Sequence, residues 1–336
     1  MYYYSLIGAD SIGEGGYIEV NGIPYIQHNG ILRQQSLYSK NQTQTEETFR
    51  FKWGKRDTYE SASVMAAAKE WLIERYLNNN EDLVRKYCFE GANILDAGCG
   101  SGFSSLLLFG KELKNVNYLG VDISEAVDVA HTRFGEEGIE AEFIQADIGN
   151  LPFIWPEFDV IFSEGVLHHT DSTEKSLKYL ANLLNPGGFF LFYVYRKKSP
   201  IREFSDDFVR EKLTGLTDDE AWDALLPISR LGQELGGLNV SVTVPEDIPI
   251  LGIPSGTYDL QRFFYWYFLK AFYRPDYSLD EMNHINFDWY RPMNCHRHTV
   301  EEIQKWCFEA GLRIDRMKVE EAGITVVAQK VVRDDF

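Results

Sequence analysis

Between Asn93 and Tyr195 short apolar runs alternate with segments of helical length: NILDAG, VNYLGVD, AEFIQAD, FDVIFSE and GGFFLFYVY. Strands alternating with helices imply βαβ units, and hence a parallel sheet with helices on both faces. The alternation breaks near Arg196. It resumes at TVEEIQKWCFEAG, followed by two strand-like runs, LRIDRMKVE and ITVVAQKVV, joined through Ala322-Gly323. The pattern predicts a doubly wound α/β core built on a mostly parallel, seven-stranded sheet, with an N-terminal extension and a helical lid inserted after the fifth strand. The boundaries that follow are a hairpin and connector over 1–57, a core over 58–197, the lid over 198–298, and the last helix and two strands over 299–336.

The N-terminal pattern differs from that of the core. YIEVNGIPYI alternates apolar and polar residues around Asn21-Gly22, a strong hairpin signal. A polar connector, SKNQTQTEETFRFKWGKRDTYES, leads to a helix expected over Ala62 to Leu77, with Val64, Ala67, Ala68, Trp71 and Leu72 on one face. Arg75 is the next position on that face, where the stripe ends. In the expected lid, QRFFYWYFLKAFY crowds eight aromatic rings into thirteen residues at helical spacing. Arg262, Lys270 and Arg274 interrupt or flank it, so it is too short to span a membrane. A core helix, a lid over a small-molecule site and an interaction surface remain, and its place after the fifth strand favours the lid.

Composition narrows the partners. A chain of 336 residues, 44% hydrophobic, buries a large core, while a net charge of −18 opposes nucleic acids and anionic lipid surfaces. The expected partner is a small molecule, with no nucleic acid and no membrane; the oligomeric state is not encoded in any pattern. MYYYSLIGAD has no basic stretch followed by an apolar run, which predicts a cytoplasmic location. Cys88, Cys99, Cys295 and Cys307 form no CxxC pair, arguing against zinc and a disulfide frame. No metal is expected.

ILDAGCGSGFSS sets an acidic residue at a strand end, then Gly98, Gly100 and Gly102 in the turn before a helix. Glycines let the backbone turn tightly and admit a ligand to its amides. Asp122 closes the second strand, placed to accept bonds from both ribose hydroxyls, and Asp147 follows the third. Together they outline a nucleoside site.

This combination resembles the class I S-adenosylmethionine-dependent methyltransferases, in particular the type 11 group, over roughly Phe49 to Lys330. The resemblance implies a Rossmann-like fold and S-adenosyl-L-methionine as cofactor. It also implies a cofactor site made by Asp96, Gly98, Cys99, Gly100 and Gly102, by Asp122 and Ile123, by Asp147 and Ile148, and by Ser163. FSEGVLHHTD and LLNPGGFFLFYVY look like the loop after the fourth strand and the turn into the fifth. A dehydrogenase reading fits less well, because the glycine pattern is GxGxG. VNGIPYI is similar to the end of a zinc ribbon that precedes the domain in some relatives, here without its cysteines.

Glu164, His168 and Tyr195 are the candidate catalytic residues. Glu164 stands where a side chain can face the transferred group, His168 is a candidate base beside His169 with a structural role as the alternative, and Tyr195 ends the fifth strand. Trp53, with Phe49 and Phe51, and lid rings such as Tyr265 and Trp266 are placed to form an aromatic box around a sulfonium; packing is the alternative for Phe263, Phe264, Trp266 and Phe268.

Three functions stay open. Methyl transfer to a small acceptor leads. Intramolecular cyclisation of the cofactor to azetidine-2-carboxylate with release of methylthioadenosine, or aminocarboxypropyl transfer, is the alternative. A non-catalytic binding protein is the third.

Overall fold

The apolar runs read from the sequence lie side by side as the middle of one sheet. The computed structural model describes residues 2–35, 38–153 and 157–332, so Met1 and the last four positions of the 299–336 segment lie outside the described residues. In chain order the strands are β1 (Tyr17–Val20), β2 (Ile23–His28), β3 (Ile31–Gln34), β4 (Asn93–Ala97), β5 (Asn117–Asp122), β6 (Glu142–Gln145), β7 (Phe158–Glu164), β8 (Leu184–Tyr195), β9 (Ser241–Val244), β10 (Gly256–Asp259), β11 (Leu312–Val319) and β12 (Gly323–Lys330). The helices are α1 (Tyr2–Leu6), α2 (Lys40–Gly54), α3 (Ala62–Leu77), α4 (Val84–Tyr87), α5 (Phe103–Phe109), α6 (Ala126–Glu136), α7 (Thr173–Asn182), α8 (Pro200–Leu213), α9 (Asp218–Gly237), α10 (Leu260–Tyr267), α11 (Leu279–Tyr290) and α12 (Val300–Glu309).

The fold is a Rossmann-like α/β architecture, but its sheet has ten strands of mixed direction and not seven, in the order β1-β2-β3-β6-β5-β4-β7-β8-β12-β11. The five strands from β6 to β8 run parallel, while β12 and β11 close the far edge antiparallel. The three extra strands come from the N-terminal unit. Asn21-Gly22 and Asn29-Gly30 both have positive φ at both residues, the geometry of the two-residue turns that match strand twist. They fold β1, β2 and β3 into a meander whose third strand pairs parallel with β6, Leu32 against Ile144. An edge strand of the core has unpaired amides and carbonyls, and β3 covers them. Tyr4 fixes the join, its hydroxyl donating to the Phe143 carbonyl at 2.7 Å and accepting from the Leu32 amide at 3.0 Å.

A second departure is α2, where the sequence predicts a polar connector. Ser39 caps the helix by accepting from the Gln42 amide. Its buried positions are Gln42, Thr45, Thr48 and Lys52, spaced as one helical face but polar, so a search for apolar periodicity passes over it. Helix α3 occupies Ala62–Leu77, the range expected. The chain between β8 and α12 forms α8 and α9, the hairpin β9–β10, and then α10 and α11, which pack on one another and on α2 across the carboxyl ends of the parallel strands. Among the described residues no helix is long and apolar enough to cross a membrane.

Candidate active site

A cavity of about 640 Å³ lies at the carboxyl ends of the parallel strands. Gly98 after β4, Asp122 and Ile123 after β5, Asp147 and Ile148 after β6, Glu164 to Val166 after β7, and Tyr193 and Tyr195 of β8 all face it. Ligands of open α/β sheets sit here because the parallel strands end on one side and their following loops diverge. The opposite wall comes from α2, α10 and α11.

The glycine turn is a cradle without room for side chains. Gly98, Gly100 and Gly102 have φ of +90°, +51° and +73°. A Cβ on Gly98 would lie 2.3 Å from both methyls of Val166, one on Gly100 would lie 2.9 Å from the Trp53 indole nitrogen, and one on Gly102 would meet the Phe134 ring at 2.8 Å. Asp122 reinforces the turn, accepting from the Gly100 amide at 2.9 Å and from the Ser124 amide and hydroxyl at 2.8 and 2.6 Å. Burial pushes its pKa up, with these bonds acting against that rise. Asp147 accepts from the Gly149 amide at 2.8 Å, while its own amide donates to Gln34 of β3 at 2.9 Å. The N-terminal unit therefore supports this edge of the cavity directly. A cradle closed to any Cβ, two carboxylates at successive strand ends and an apolar neighbour at each are the donor and acceptor set that fits an adenosyl group.

Several expected cofactor residues lie beneath the cavity. Asp96 is buried under the turn, where it accepts from the Tyr118 hydroxyl at 2.6 Å and from Ser105; burial lifts its carboxyl to about 6. Cys99 is buried against Gly120 of β5. The Ser163 hydroxyl donates to the Ala97 carbonyl at 2.8 Å and ties β7 to β4. These groups shape the turn from below. Trp53 lines the cavity together with Phe49, but Phe51 points away and packs on Phe287 at 5.3 Å.

The candidate catalytic residues divide in the same way. Glu164 reaches the cavity, where its carboxylate accepts from Arg75 at 3.0 Å and from the Tyr76 hydroxyl; burial pushes its pKa up, with these partners acting against that rise. Arg75 does not end the α3 stripe. It is fully buried, stacked between Trp71 and Tyr193 at 3.2 and 3.7 Å from their ring centres. His168 does not line the cavity: it is completely buried with its ring 3.7 Å from that of Tyr195. Its neighbour His169 does line it. The His169 Nδ1 lies 2.6 Å from the Asn294 carbonyl and is thereby assigned as the donor, leaving Nε2 as a buried acceptor with no partner among the described residues. Tyr195 donates to Asp288 at 2.6 Å, and Asp288 is also paired with Lys52 of α2. Lys52 and the other cations hold the Asp288 carboxyl well below the usual carboxylate range even though burial acts against them.

His284 on α11 is a lining residue that sequence reasoning missed. Burial, with repulsion from Lys52, holds it down to about 3 while its Nδ1 bonds Thr58 at 2.7 Å. The folded pKa is below the unfolded value near 6.5, so its contribution is complete above 6.5 and lost as pH falls. The stability advantage of the wild type over His284→Asn should narrow by about 1.4 kcal/mol per pH unit between about 6.5 and 4.5. Urea unfolding of both proteins at several pH values measures this; a constant difference would mean the imidazole is not held neutral.

The aromatic stretch divides by face. Tyr265, Trp266 and Phe272 line the cavity, whereas Phe263 packs on Tyr258, Tyr267 and Phe268, and Phe264 stacks on Phe268.

Residues 89–230 match a family model described as a methyltransferase domain. The chain is 30% identical over 116 residues to a fatty-acid O-methyltransferase of Mycolicibacterium smegmatis, covering 34% of this chain and 41% of that protein. It is 28% identical over 131 residues to a phthiotriol/phenolphthiotriol dimycocerosates methyltransferase of Mycobacterium ulcerans, covering 39% and 47%, and 33% identical over 118 residues to a probable tRNA methyltransferase 9B of Mus musculus, covering 34% and 24%. The chain thus spans less than half the length of these relatives. Among solved structures, magnesium protoporphyrin IX methyltransferase from Synechocystis PCC 6803 with bound S-adenosylhomocysteine is 15% identical, with 87% of this chain and all of that one covered at a TM-score of 0.44. The comparisons thus support a class I S-adenosylmethionine-dependent methyltransferase domain over residues 89–230.

Proposed function

We propose that the protein transfers the methyl group of S-adenosylmethionine to a small-molecule or lipid acceptor enclosed beneath α10 and α11. The observation that carries this reading is the continuity of the cavity. Gly98, Asp122, Ile123, Asp147 and Ile148 at one end and Tyr193, Tyr195, Tyr265 and Trp266 at the other line the same cavity. The fatty-acid and phthiotriol enzymes among the relatives support a small or lipid acceptor, and a net charge of −18 weighs against RNA.

In this reading Asp122 holds the ribose, Asp147 and Ile148 flank the adenine, and the Gly98 backbone faces the methionyl tail. The bound cofactor supplies an electrophilic methyl on a sulfonium. The chain's part is to align an acceptor with it, keep water out and take up a proton where the acceptor carries one. Burial holds the His169 ring down to about 4 and its Nε2 is itself buried, so the chain's main part is alignment and the exclusion of water, and Glu164, held by Arg75, orients the β7 loop. The segment from α8 to α11 acts as the lid.

A second reading is favoured by one observation. Trp53 lies over Gly100, with Tyr59 and His284 at 5.1 and 6.1 Å from its ring, so the methionyl end is itself enclosed by rings. That enclosure suits cyclisation of the tail with release of methylthioadenosine.

Two measurements test the reading. Calorimetry should show S-adenosylmethionine binding that Asp122→Ala weakens by about 1–3 kcal/mol through loss of charged hydrogen bonds; equal affinity would remove Asp122 from the site. Mass spectrometry should show S-adenosylhomocysteine only when an acceptor is supplied. Methylthioadenosine accumulating without any acceptor would replace the first reading by the second.

A further inference from the structure

Lys270 follows α10 and points its ammonium into the acceptor end of the cavity. It is 5% exposed, and among the described residues it has neither a hydrogen-bond nor an ion-pair partner; it sits over the Trp289 ring at 4.8 Å. Burial draws its pKa down to about 7. The neighbouring carboxylates are already engaged. Asp206 accepts from Arg202 at 2.9 Å, from the Trp289 indole at 2.8 Å and from the Tyr290 hydroxyl at 3.0 Å, and Asp288 is held by Lys52 and Tyr195.

Among the described residues, Lys198 and Arg262 in this corner have no ion-pair partner either. Lys198 lies 5.3 Å from the same Trp289 ring and its ammonium donates to the carbonyls of Glu321 and Ala322. Arg262 donates to the Tyr273 carbonyl at 3.0 Å and lies over Tyr265. A buried ammonium with no carboxylate in contact is costly; Asp288 and Asp206 act on Lys270 only from beyond ion-pair distance, and a ligand that brings its own negative charge relieves the cost while keeping the lysine charged.

We propose that this corner is a carboxylate-binding subsite, with Lys270 Nζ as its anchoring donor and Lys198 and Arg262 at its edges. One carboxylate carries the single negative charge that one ammonium compensates, and the surrounding Trp266, Trp289 and Tyr265 rings suit an apolar body attached to it. Two sources share this chemistry: a carboxylate on the acceptor, and the methionyl carboxylate of the cofactor. The proposal rests on the transferase reading above.

The test compares wild type with Lys270→Met, using Lys270→Gln as a second neutral variant and Lys270→Arg as the charge-retaining one. Binding of S-adenosylhomocysteine and of methylthioadenosine, which lacks the carboxylate, is measured by calorimetry. Acetate, hexanoate and benzoate are then titrated against their amides on the S-adenosylhomocysteine-loaded protein. If the carboxylate is the cofactor's, the neutral variants bind S-adenosylhomocysteine about tenfold or more weakly and methylthioadenosine unchanged. If it is the acceptor's, cofactor binding is unchanged, while wild type and Lys270→Arg prefer a carboxylate over its amide and the neutral variants lose that preference. Either result supports the subsite. Unchanged S-adenosylhomocysteine affinity together with no carboxylate preference in wild type overturns it. Should wild type bind neither nucleoside, the transferase reading falls, and titrating the carboxylates into the unliganded protein still decides the subsite.

Discussion

Replacing Asp206 by Ala should lower the unfolding free energy by about 3–5 kcal/mol, the usual cost of leaving one member of a buried ion pair behind. Asp206 and Arg202 stand one turn apart on α8, fully buried and 1% exposed respectively. The guanidinium donates to both carboxylate oxygens at 2.9 Å, while Trp289 and Tyr290 of α11 donate to the same carboxylate. A further arm of Arg202 donates to the Tyr265 carbonyl of α10. The Arg202–Asp206 pair thus joins three helices of the cavity's outer wall. Loss of the carboxylate strands the Arg202 charge and frees two polar groups at once. Replacing both partners, as in Arg202→Met with Asp206→Leu, should cost far less, since no buried charge is left unpaired. Chemical denaturation of the single and double variants measures the difference. A loss under about 1 kcal/mol in Asp206→Ala would mean that water or another anion already serves Arg202.

The same corner shows where the sequence was readable and where it was not. Strands β4 to β8 are legible because a strand buried on both faces must be a continuous apolar run, and the glycine turn is legible because only glycine tolerates its backbone. Helix α2 was invisible because the face it buries is Gln42, Thr45, Thr48 and Lys52, whose partners Asn294 and Asp288 stand some 250 residues away in the chain for Gln42. Polar periodicity has meaning only once the partners are known. The same holds for Arg75, which looks like the end of a stripe until Glu164, Trp71 and Tyr193 close around it. The ten-strand sheet was missed at Asn29-Gly30, a second turn of the same chemistry as Asn21-Gly22, because β3 is only four residues long and its alternation is not clean. The pair His168 and His169 lies in a single tight turn from Leu167 to His169, where no periodicity decides which ring faces inward.

Gly98→Ala should abolish measurable cofactor binding, a loss above about 3 kcal/mol from two separable causes. The first is conformational. At φ +90° an L-residue is strained by about 1–3 kcal/mol, and the turn cannot relax freely because the Gly98 amide donates to the Val121 carbonyl at 2.8 Å. The second is steric. The new methyl would overlap both methyls of Val166 at 2.3 Å and its Cβ at 2.7 Å, driving the loop after β7 into the cavity where the methionyl tail is proposed to lie. Overpacking of this kind costs about 1–3 kcal/mol by itself. The double variant Gly98→Ala, Val166→Ala separates the two, since removing the valine methyls relieves the overlap and leaves the backbone strain. Calorimetry with S-adenosylhomocysteine should therefore show partial recovery in the double variant, and thermal unfolding should show the single variant as the less stable. Full recovery would assign the whole effect to Val166. Wild-type affinity in Gly98→Ala would mean that the cofactor does not sit on this turn, and with it the proposed alignment of tail, Glu164 loop and acceptor end would fall.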